Sequence, residues 1–176
     1  EYILPPADAV INPKQPGCGY PFKGLCGAGV AWKLVCYLYS QAGIPEKEQE
    51  DFLEFVGIAT VGDVMDLQGE NRILVKEGLK RLHRTENPGL LELISQNGLE
   101  PSQIDVYHIG FVLGPCLNAS GRLDTAKRAL ALLTAESREE AARLAGDLKA
   151  LNESRKEMTA QGVEEAISLV ESTSLR

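Results

Sequence analysis

The segment Gly114–Arg122 carries side chains suited to chemistry on a phosphate group. Asn118 and Ser120 can donate hydrogen bonds to phosphate oxygens, and Arg122 can bind a phosphate through two parallel hydrogen bonds. Gly121 lets the backbone come close to a ligand. The pattern indicates a flexible phosphate-binding loop. The alternative is a loop that only connects two helices, with Arg122 in a salt bridge.

A second candidate is Asp63, which stands in the apolar turn Val61-Gly62-Asp63-Val64. A carboxylate in apolar surroundings is costly unless it is paired or binds a metal ion. The sequence therefore offers two interpretations of Asp63: a metal ligand, or a helix cap in a surface turn. Asp66 nearby can serve either purpose.

The remaining reactive side chains show no catalytic or zinc-binding pattern. The four cysteines are not in CxxC spacing, and only His83 and His108 are present. This spacing favours reduced thiols and structural or exposed histidines over a zinc site. The glycine-rich segment Gly24–Gly29 lacks the dinucleotide-binding spacing, so tight packing of a helix start against a sheet is the favoured interpretation.

The elements that must position these residues are predicted to be mostly helices. One short buried strand is expected at residues 7–13, with Val10 and Ile11 inside and Pro13 at its end. Apolar periodicity predicts helices at about residues 28–42, 70–83, 88–95 and 124–134. Two further helices are expected to start at Pro45 and after a Ser102–Asp105 capping box. A last, long helix is expected to run from Ser137 towards Val170.

The same periodicity predicts which side chains face the core. The expected inner face of the second helix is Phe52, Phe55, Val56 and Ala59. In the later helices the predicted inward residues are Ala126, Leu130 and Leu133, followed by Ala141, Leu144, Leu148 and Leu151.

Bulk composition indicates a globular chain without a membrane span. The chain has 176 residues, of which 44% are hydrophobic and 24% charged, with a net charge of -7. No apolar run is long enough to cross a bilayer. The negative charge lowers the expectation of nucleic-acid binding, although an acidic protein can still carry a local basic groove.

Several segments, in order along the chain, resemble the RecJ-type exonucleases of the DHH phosphoesterase family. These segments are residues 9–14 (AVINPK), 25–31 (LCGAGVA), 60–65 (TVGDVM), 69–72 (GENR), 113–123 (LGPCLNASGRL) and 151–156 (LNESRK). The resemblance covers nearly the whole chain.

The resemblance implies roles for the candidate residues. It makes Asp63 a catalytic ligand of Mn²⁺ or Mg²⁺. It makes Arg122 the main contact to the DNA backbone, with Asn118, Ser120 and Gly121 in support. The family position of Cys116 is often basic, so the resemblance assigns this cysteine no contact.

The resemblance also implies an architecture. The family domain is α/β, with a parallel sheet and helices, and this chain is expected to be a mainly α-helical part of it. Residues 1–135 would be the C-terminal part of the catalytic domain, and residues 136–176 a long connecting helix towards a substrate-binding domain. The family's Asp-His-His motif is absent, and the chain is expected to begin just after it.

The implied activity is metal-dependent 5′-to-3′ hydrolysis of single-stranded DNA in repair and recombination, in the cytoplasm. A single-strand-binding protein is an implied partner, and exposed apolar surface would permit self-association. The chain alone is expected to be inactive. Two alternatives stay open: a DHH phosphoesterase acting on short oligonucleotides or cyclic dinucleotides, and a non-catalytic helical module.

Overall fold

The computed structural model describes residues 5–123 and 125–173, and it describes Arg122 and Leu123 by their backbone alone. Within these residues the chain is helical, which confirms the prediction of a mainly α-helical chain. The predicted strand at residues 7–13 is wrong, because no strand occurs in the described part. Ile11 is 57% exposed, and the Val10 carbonyl accepts a hydrogen bond from the Gln15 side chain instead of from a neighbouring strand.

The described part of the chain consists of α-helices, with short 3₁₀ and π-helical turns before or between some of them. The helices are α1 (Gly27–Ala42), α2 (Glu46–Gln49), α3 (Leu53–Gly62), α4 (Gly69–Leu82), α5 (Pro88–Gln96), α6 (Val106–His108), α7 (Gly114–Leu123), α8 (Lys127–Leu133) and α9 (Arg138–Ser172). Glu50–Phe52 and Pro101–Gln103 are 3₁₀ turns, and Ile109–Leu113 is a π-helical turn.

The chain divides into two compact units. The first comprises Glu1–Arg84 with Ile104–Gly110, and the second comprises Thr85–Gln103 with Phe111–Arg176. Each unit has its own set of buried residues.

The first unit is built around the α3–α4 pair, with Leu25, Leu53, Val56 and Leu74 in its core. Of the inner face predicted for this region, only Val56 is fully buried, and Phe52 is 38% exposed. The 3₁₀ turn before α3 explains the difference, since it changes the helical register and turns Leu53 inwards instead.

Helix α1 begins and ends close to where its sequence predicts. The Sγ atom of the N-cap Cys26 accepts a hydrogen bond from the Gly29 amide over 3.4 Å, and Gly43 ends the helix at φ 67°. Cys26 also lies 3.4 Å from the Thr60 hydroxyl of α3. The predicted packing of Gly24–Gly29 against a sheet is therefore wrong for the described residues, since this helix start contacts α3 instead.

The second unit is held together by α9, which α5, α7 and α8 contact. The Asn87 side chain caps α5, as predicted, by accepting a hydrogen bond from the Leu90 amide. In α8 the predicted inner face is wrong. Leu132 is fully buried, next to Gly89 of α5, and Leu130 is 62% exposed.

The long helix expected after Ser137 is present and runs for 35 residues. Ala141, Leu144 and Leu148 are buried, as predicted. The expected Ser102–Asp105 capping box is wrong. Asp105 instead forms a capping box with His108, which fixes that histidine in a local structural role.

Candidate functional sites: the Asp63 turn and helix α7

Asp63 lies at the C-terminal end of α3, in the first unit. It is the C-cap residue, and its amide donates a hydrogen bond of 2.8 Å to the Ala59 carbonyl. Its side chain is exposed. The carboxylate therefore faces solvent and is free of the burial cost that its apolar sequence neighbours suggest.

The residue after Asp63 adopts an unusual backbone conformation. Val64 has a φ of 55°, and among the described residues no other non-glycine has a positive φ. Its amide donates to Val61 over 3.0 Å, and the Met65 amide donates to Thr60 over 3.1 Å. This hydrogen-bond pattern normally places glycine where Val64 stands. A β-branched residue there strains the turn that presents Asp63.

The described residues do not by themselves form a divalent-metal site. Within ranges 5–123 and 125–173, no three His, Cys, Asp or Glu side chains come together closely enough to hold a metal ion. Mg²⁺ and Ca²⁺ sites draw on several oxygen ligands. Asp63 offers one exposed carboxylate, so any further ligands would have to come from elsewhere.

The second candidate, Gly114–Arg122, is a helix and not the predicted loop. Pro115, which lacks an amide hydrogen, directly follows the π-helical turn Ile109–Leu113, where the regular α-helical hydrogen-bond pattern is already altered. Cys116, Ala119 and Ser120 are buried at positions i, i+3 and i+4, which gives the helix a face of small residues. That face accounts for a helix in a segment rich in loop-forming residues.

Within α7 the predicted phosphate contacts differ in accessibility. Asn118 and Gly121 are exposed. Ser120 is fully buried, and its hydroxyl donates to the Leu117 carbonyl over 3.3 Å. The backbone of Arg122 lies one helical turn beyond Asn118, and its side chain lies outside the described residues.

Cys116 links α7 to Asn97 and to Asn152 of α9. Its thiol is fully buried, lies 3.9 Å from Asn97 Oδ1, and accepts a hydrogen bond of 3.6 Å from the Asn152 side-chain amide of α9. Burial raises the pKa of the Cys116 thiol above its ordinary value. Cys116 is therefore a packing residue in this chain.

Asn152 and Arg155 were not singled out by sequence reasoning beyond their place in a family segment. Asn152 is 3% exposed, and its side-chain oxygen accepts hydrogen bonds from Nε and Nη2 of Arg155 over 3.2 and 3.1 Å. The sequence signal that could have identified Asn152 is its position four residues after Leu148, where a polar residue falls on the apolar face of α9.

The first unit contains a further polar group that the sequence did not reveal. The Tyr20 hydroxyl donates to the Glu70 carboxylate at 2.8 and 2.9 Å, and Lys33 Nζ lies 2.7 Å from the same carboxylate. Burial alone would raise the pKa of Glu70, but the hydrogen bonds from Lys33 and Tyr20 lower it below its ordinary value. These three residues join the N-terminal loop to α1 and α4.

The apolar side chains of α1 are only partly covered. Leu34, Tyr37 and Leu38 are between 38% and 62% exposed. A groove of about 570 Å³ runs between α1 and residues 10–18, and its charged lining residue Lys33 is paired with Glu70. Among the described residues, no helix is long and apolar enough to cross a membrane.

Comparison with known proteins links the whole chain to one group of enzymes. No protein-family model matches it. It is 41% identical over 172 residues to the single-stranded-DNA-specific exonuclease RecJ of Bacillus subtilis, covering 98% of this chain and 21% of that protein. The corresponding Escherichia coli protein is 37% identical over 179 residues, covering 96% of this chain and 31% of that protein.

Solved structures give the same result. A crystal structure of RecJ from Thermus thermophilus in complex with Mg²⁺ matches with a TM-score of 0.71 and 34% identity, over 85% of this chain and 22% of that one. A crystal structure of exonuclease RecJ bound to manganese matches with a TM-score of 0.72 and 34% identity, over 86% of this chain and 37% of that one. The chain spans only about a fifth to a third of the length of the curated relatives described above.

Proposed function

Along nearly its whole length this chain corresponds to a segment of the RecJ exonucleases, and on that premise we propose that it forms part of a metal-dependent exonuclease acting on single-stranded DNA. The single observation that carries the proposal is a sequence and structural match extending over most of the chain. The wider α/β catalytic domain, the 5′-to-3′ direction, the role in repair and recombination, and the cytoplasmic location are parts of the same proposal.

In this proposal Asp63 supplies one ligand to a catalytic Mn²⁺ or Mg²⁺ ion. Two related structures contain Mg²⁺ or manganese. An exposed carboxylate at a fixed helix end can reach an ion held by other parts of a longer protein. Bound metal ions in such enzymes activate water and stabilise developing negative charge.

Helix α7 is proposed to bind the backbone of the DNA strand through Asn118, Ser120, Gly121 and Arg122. The exposure of Asn118 and Gly121 supports this surface. Ser120 takes part only if its hydroxyl exchanges the Leu117 carbonyl for a phosphate oxygen.

The test is substitution of Asp63 in the full-length protein. Asp63→Asn should abolish cleavage of a labelled single strand in Mn²⁺ while leaving binding of the strand in EDTA unchanged. Asp66→Asn is the matched control, since Asp66 is also exposed and lies three residues further on. Normal cleavage by Asp63→Asn, or equal losses in both variants, would contradict the metal-ligand role.

The chain on its own is proposed to be a non-catalytic helical module. The observation that favours this is the absence of a three-ligand cluster from the described residues. Calorimetric titration of the isolated chain with Mn²⁺ should give no tight binding, and a submicromolar dissociation constant would refute it. A single-strand-binding protein as partner, and self-association through the exposed face of α1, are further parts of the proposal.

A further inference from the structure

Asn152 is a polar residue on the buried face of α9. It follows Leu148 by one helical turn, in line with the buried Ala141 and Leu144. A buried amide is costly unless its donors and its acceptor are both satisfied. Both ends of this amide have partners, and one of them is the guanidinium of Arg155.

The Asn152 oxygen fixes the orientation of that guanidinium. Nε and Nη2 of Arg155 both donate to it, which uses two of the five N–H donors of an arginine. Within ranges 5–123 and 125–173, the remaining donors, including both on Nη1, have no hydrogen-bond partner. A guanidinium already held in one orientation loses less conformational freedom when it binds a further group.

The charge of Arg155 has no acidic partner among the residues that the structure describes. On the same helix, Arg138 lies 2.7 Å from Glu92, and Arg143 lies 3.5 Å from Asp147. The neighbouring Glu153 is paired with Lys156 over 3.0 Å. Arg155 is thus a half-buried, oriented cation without an ion-pair partner within ranges 5–123 and 125–173.

The same amide also contacts α7, since its nitrogen donates to Cys116. Ser120, a candidate phosphate ligand, follows one helical turn later on the same face of α7 as Cys116. We propose that Arg155, oriented by Asn152, is an additional contact to a phosphate of the single strand, beyond those on α7. The inference rests on the proposed function and extends its binding surface onto α9.

Binding of fluorescent oligo(dT) to the full-length protein in EDTA, followed by anisotropy at several KCl concentrations, tests the inference. Arg155→Gln should weaken binding about tenfold and reduce the slope of log K against log [KCl] by about 0.7, the value for one lost phosphate contact on a single strand. Arg155→Lys keeps the charge but loses the two-point hold on Asn152, so its slope should stay near wild type while its affinity falls.

Arg143→Gln is the matched control, because it removes the same charge from the same helix at an exposed, paired position. It should leave affinity and slope unchanged. An unchanged slope in Arg155→Gln, or an equal loss in Arg143→Gln, overturns the inference while the proposed function stands. If the wild-type protein does not bind oligo(dT), the proposed function fails and the inference fails with it. Thermal unfolding of each variant shows whether a loss of binding is instead a loss of fold.

Discussion

Gly57 of α3 and Gly78 of α4 bring the two helix backbones into direct contact. A Cβ atom on Gly57 would lie 3.2 Å from the Cα atom of Gly78, and one on Gly78 would lie 2.5 Å from the Leu53 carbonyl oxygen. The obstructing atoms are backbone atoms, which cannot rotate away as a side chain can. This close crossing of α3 and α4 therefore requires glycine at position 78 and leaves little room for a side chain at position 57.

Gly78→Ala should destabilise the protein by about 1–3 kcal/mol, since relief of the clash requires the helices to move apart. Denaturant unfolding monitored by circular dichroism measures the change. Gly162→Ala is the control, because a Cβ at that helical position meets no atom within 4 Å. It should leave the free energy of the main unfolding transition within about 0.5 kcal/mol of wild type, because that part of α9 is exposed and packs on no other element. A Gly78→Ala variant as stable as wild type would show that the crossing tolerates a methyl group.

Val64→Gly should stabilise the protein. The left-handed conformation costs an L-residue about 1–2 kcal/mol, and the extra freedom of glycine in the unfolded chain offsets about 0.4–1 kcal/mol of that gain. Val64 is 89% exposed, so little packing is lost. We expect a net gain of about 0.5–1 kcal/mol, measured by chemical denaturation.

The reverse substitution, at the C-terminal end of α1, is the control for Val64→Gly. Gly43 closes α1 with the same pair of backbone hydrogen bonds at φ 67°. Gly43→Val should therefore destabilise. A lower midpoint of unfolding for Val64→Gly would show that Val64 does not strain this turn.

Glu70→Gln should remove a pH-dependent part of the stability. The pKa of Glu70 is lowered in the folded protein by hydrogen bonds from Lys33 and Tyr20, which outweigh the effect of burial. Its contribution is present above the unfolded-state pKa of about 4.3 and is lost as the pH falls through the lower folded-state pKa. Because the Lys33 side chain is 37% exposed, the contribution at neutral pH is limited to about 1 kcal/mol.

Unfolding free energies of wild type and Glu70→Gln should therefore differ most at pH 7, and the difference should shrink as the pH falls below about 4. Glu77→Gln serves as the control, since Glu77 forms a more exposed pair with Lys80 on the same helix. A constant difference across this range would show that the Glu70 charge contributes nothing to stability.

Asn118→Ala should weaken oligo(dT) binding more than Ser120→Ala. Asn118 is exposed on α7, whereas the Ser120 hydroxyl already has a backbone partner in Leu117. We expect about a fivefold loss for Asn118→Ala, as for one hydrogen bond of about 1 kcal/mol, and less than twofold for Ser120→Ala. Anisotropy in EDTA measures both, and the reverse order would show that the serine rotates to meet the strand.

The secondary structure of Gly114–Arg122 could not be predicted from its residue types. Its glycine, proline, asparagine and serine content is typical of loops, yet the segment is helical. The helical signal was the spacing of Cys116, Ala119 and Ser120, which are small enough to pack closely but weakly hydrophobic. The low helix propensity of these residues is outweighed by tertiary packing, which depends on residues far away in the chain.

The predicted strand failed for a related physical reason. Val10 and Ile11 have the residue types of a strand, but a strand needs a partner for its backbone hydrogen bonds. The described residues supply none. Helix ends were predicted well where a local side chain or glycine decides them, as Asn87 and Gly43 do. The buried faces of α3 and α8 were predicted less well, because a shift of one residue in a short helix changes the face.

Beyond Arg155, every residue of α9 as far as Thr173 is exposed, whereas the part before it is buried along one face. The later turns are stabilised by their own backbone hydrogen bonds and lack the tertiary packing that supplies most of the stability of helices in proteins. Amide hydrogens there should exchange far faster than those around Leu148. One uninterrupted helix therefore consists of two cooperative units, and the boundary between them falls at the arginine that Asn152 holds.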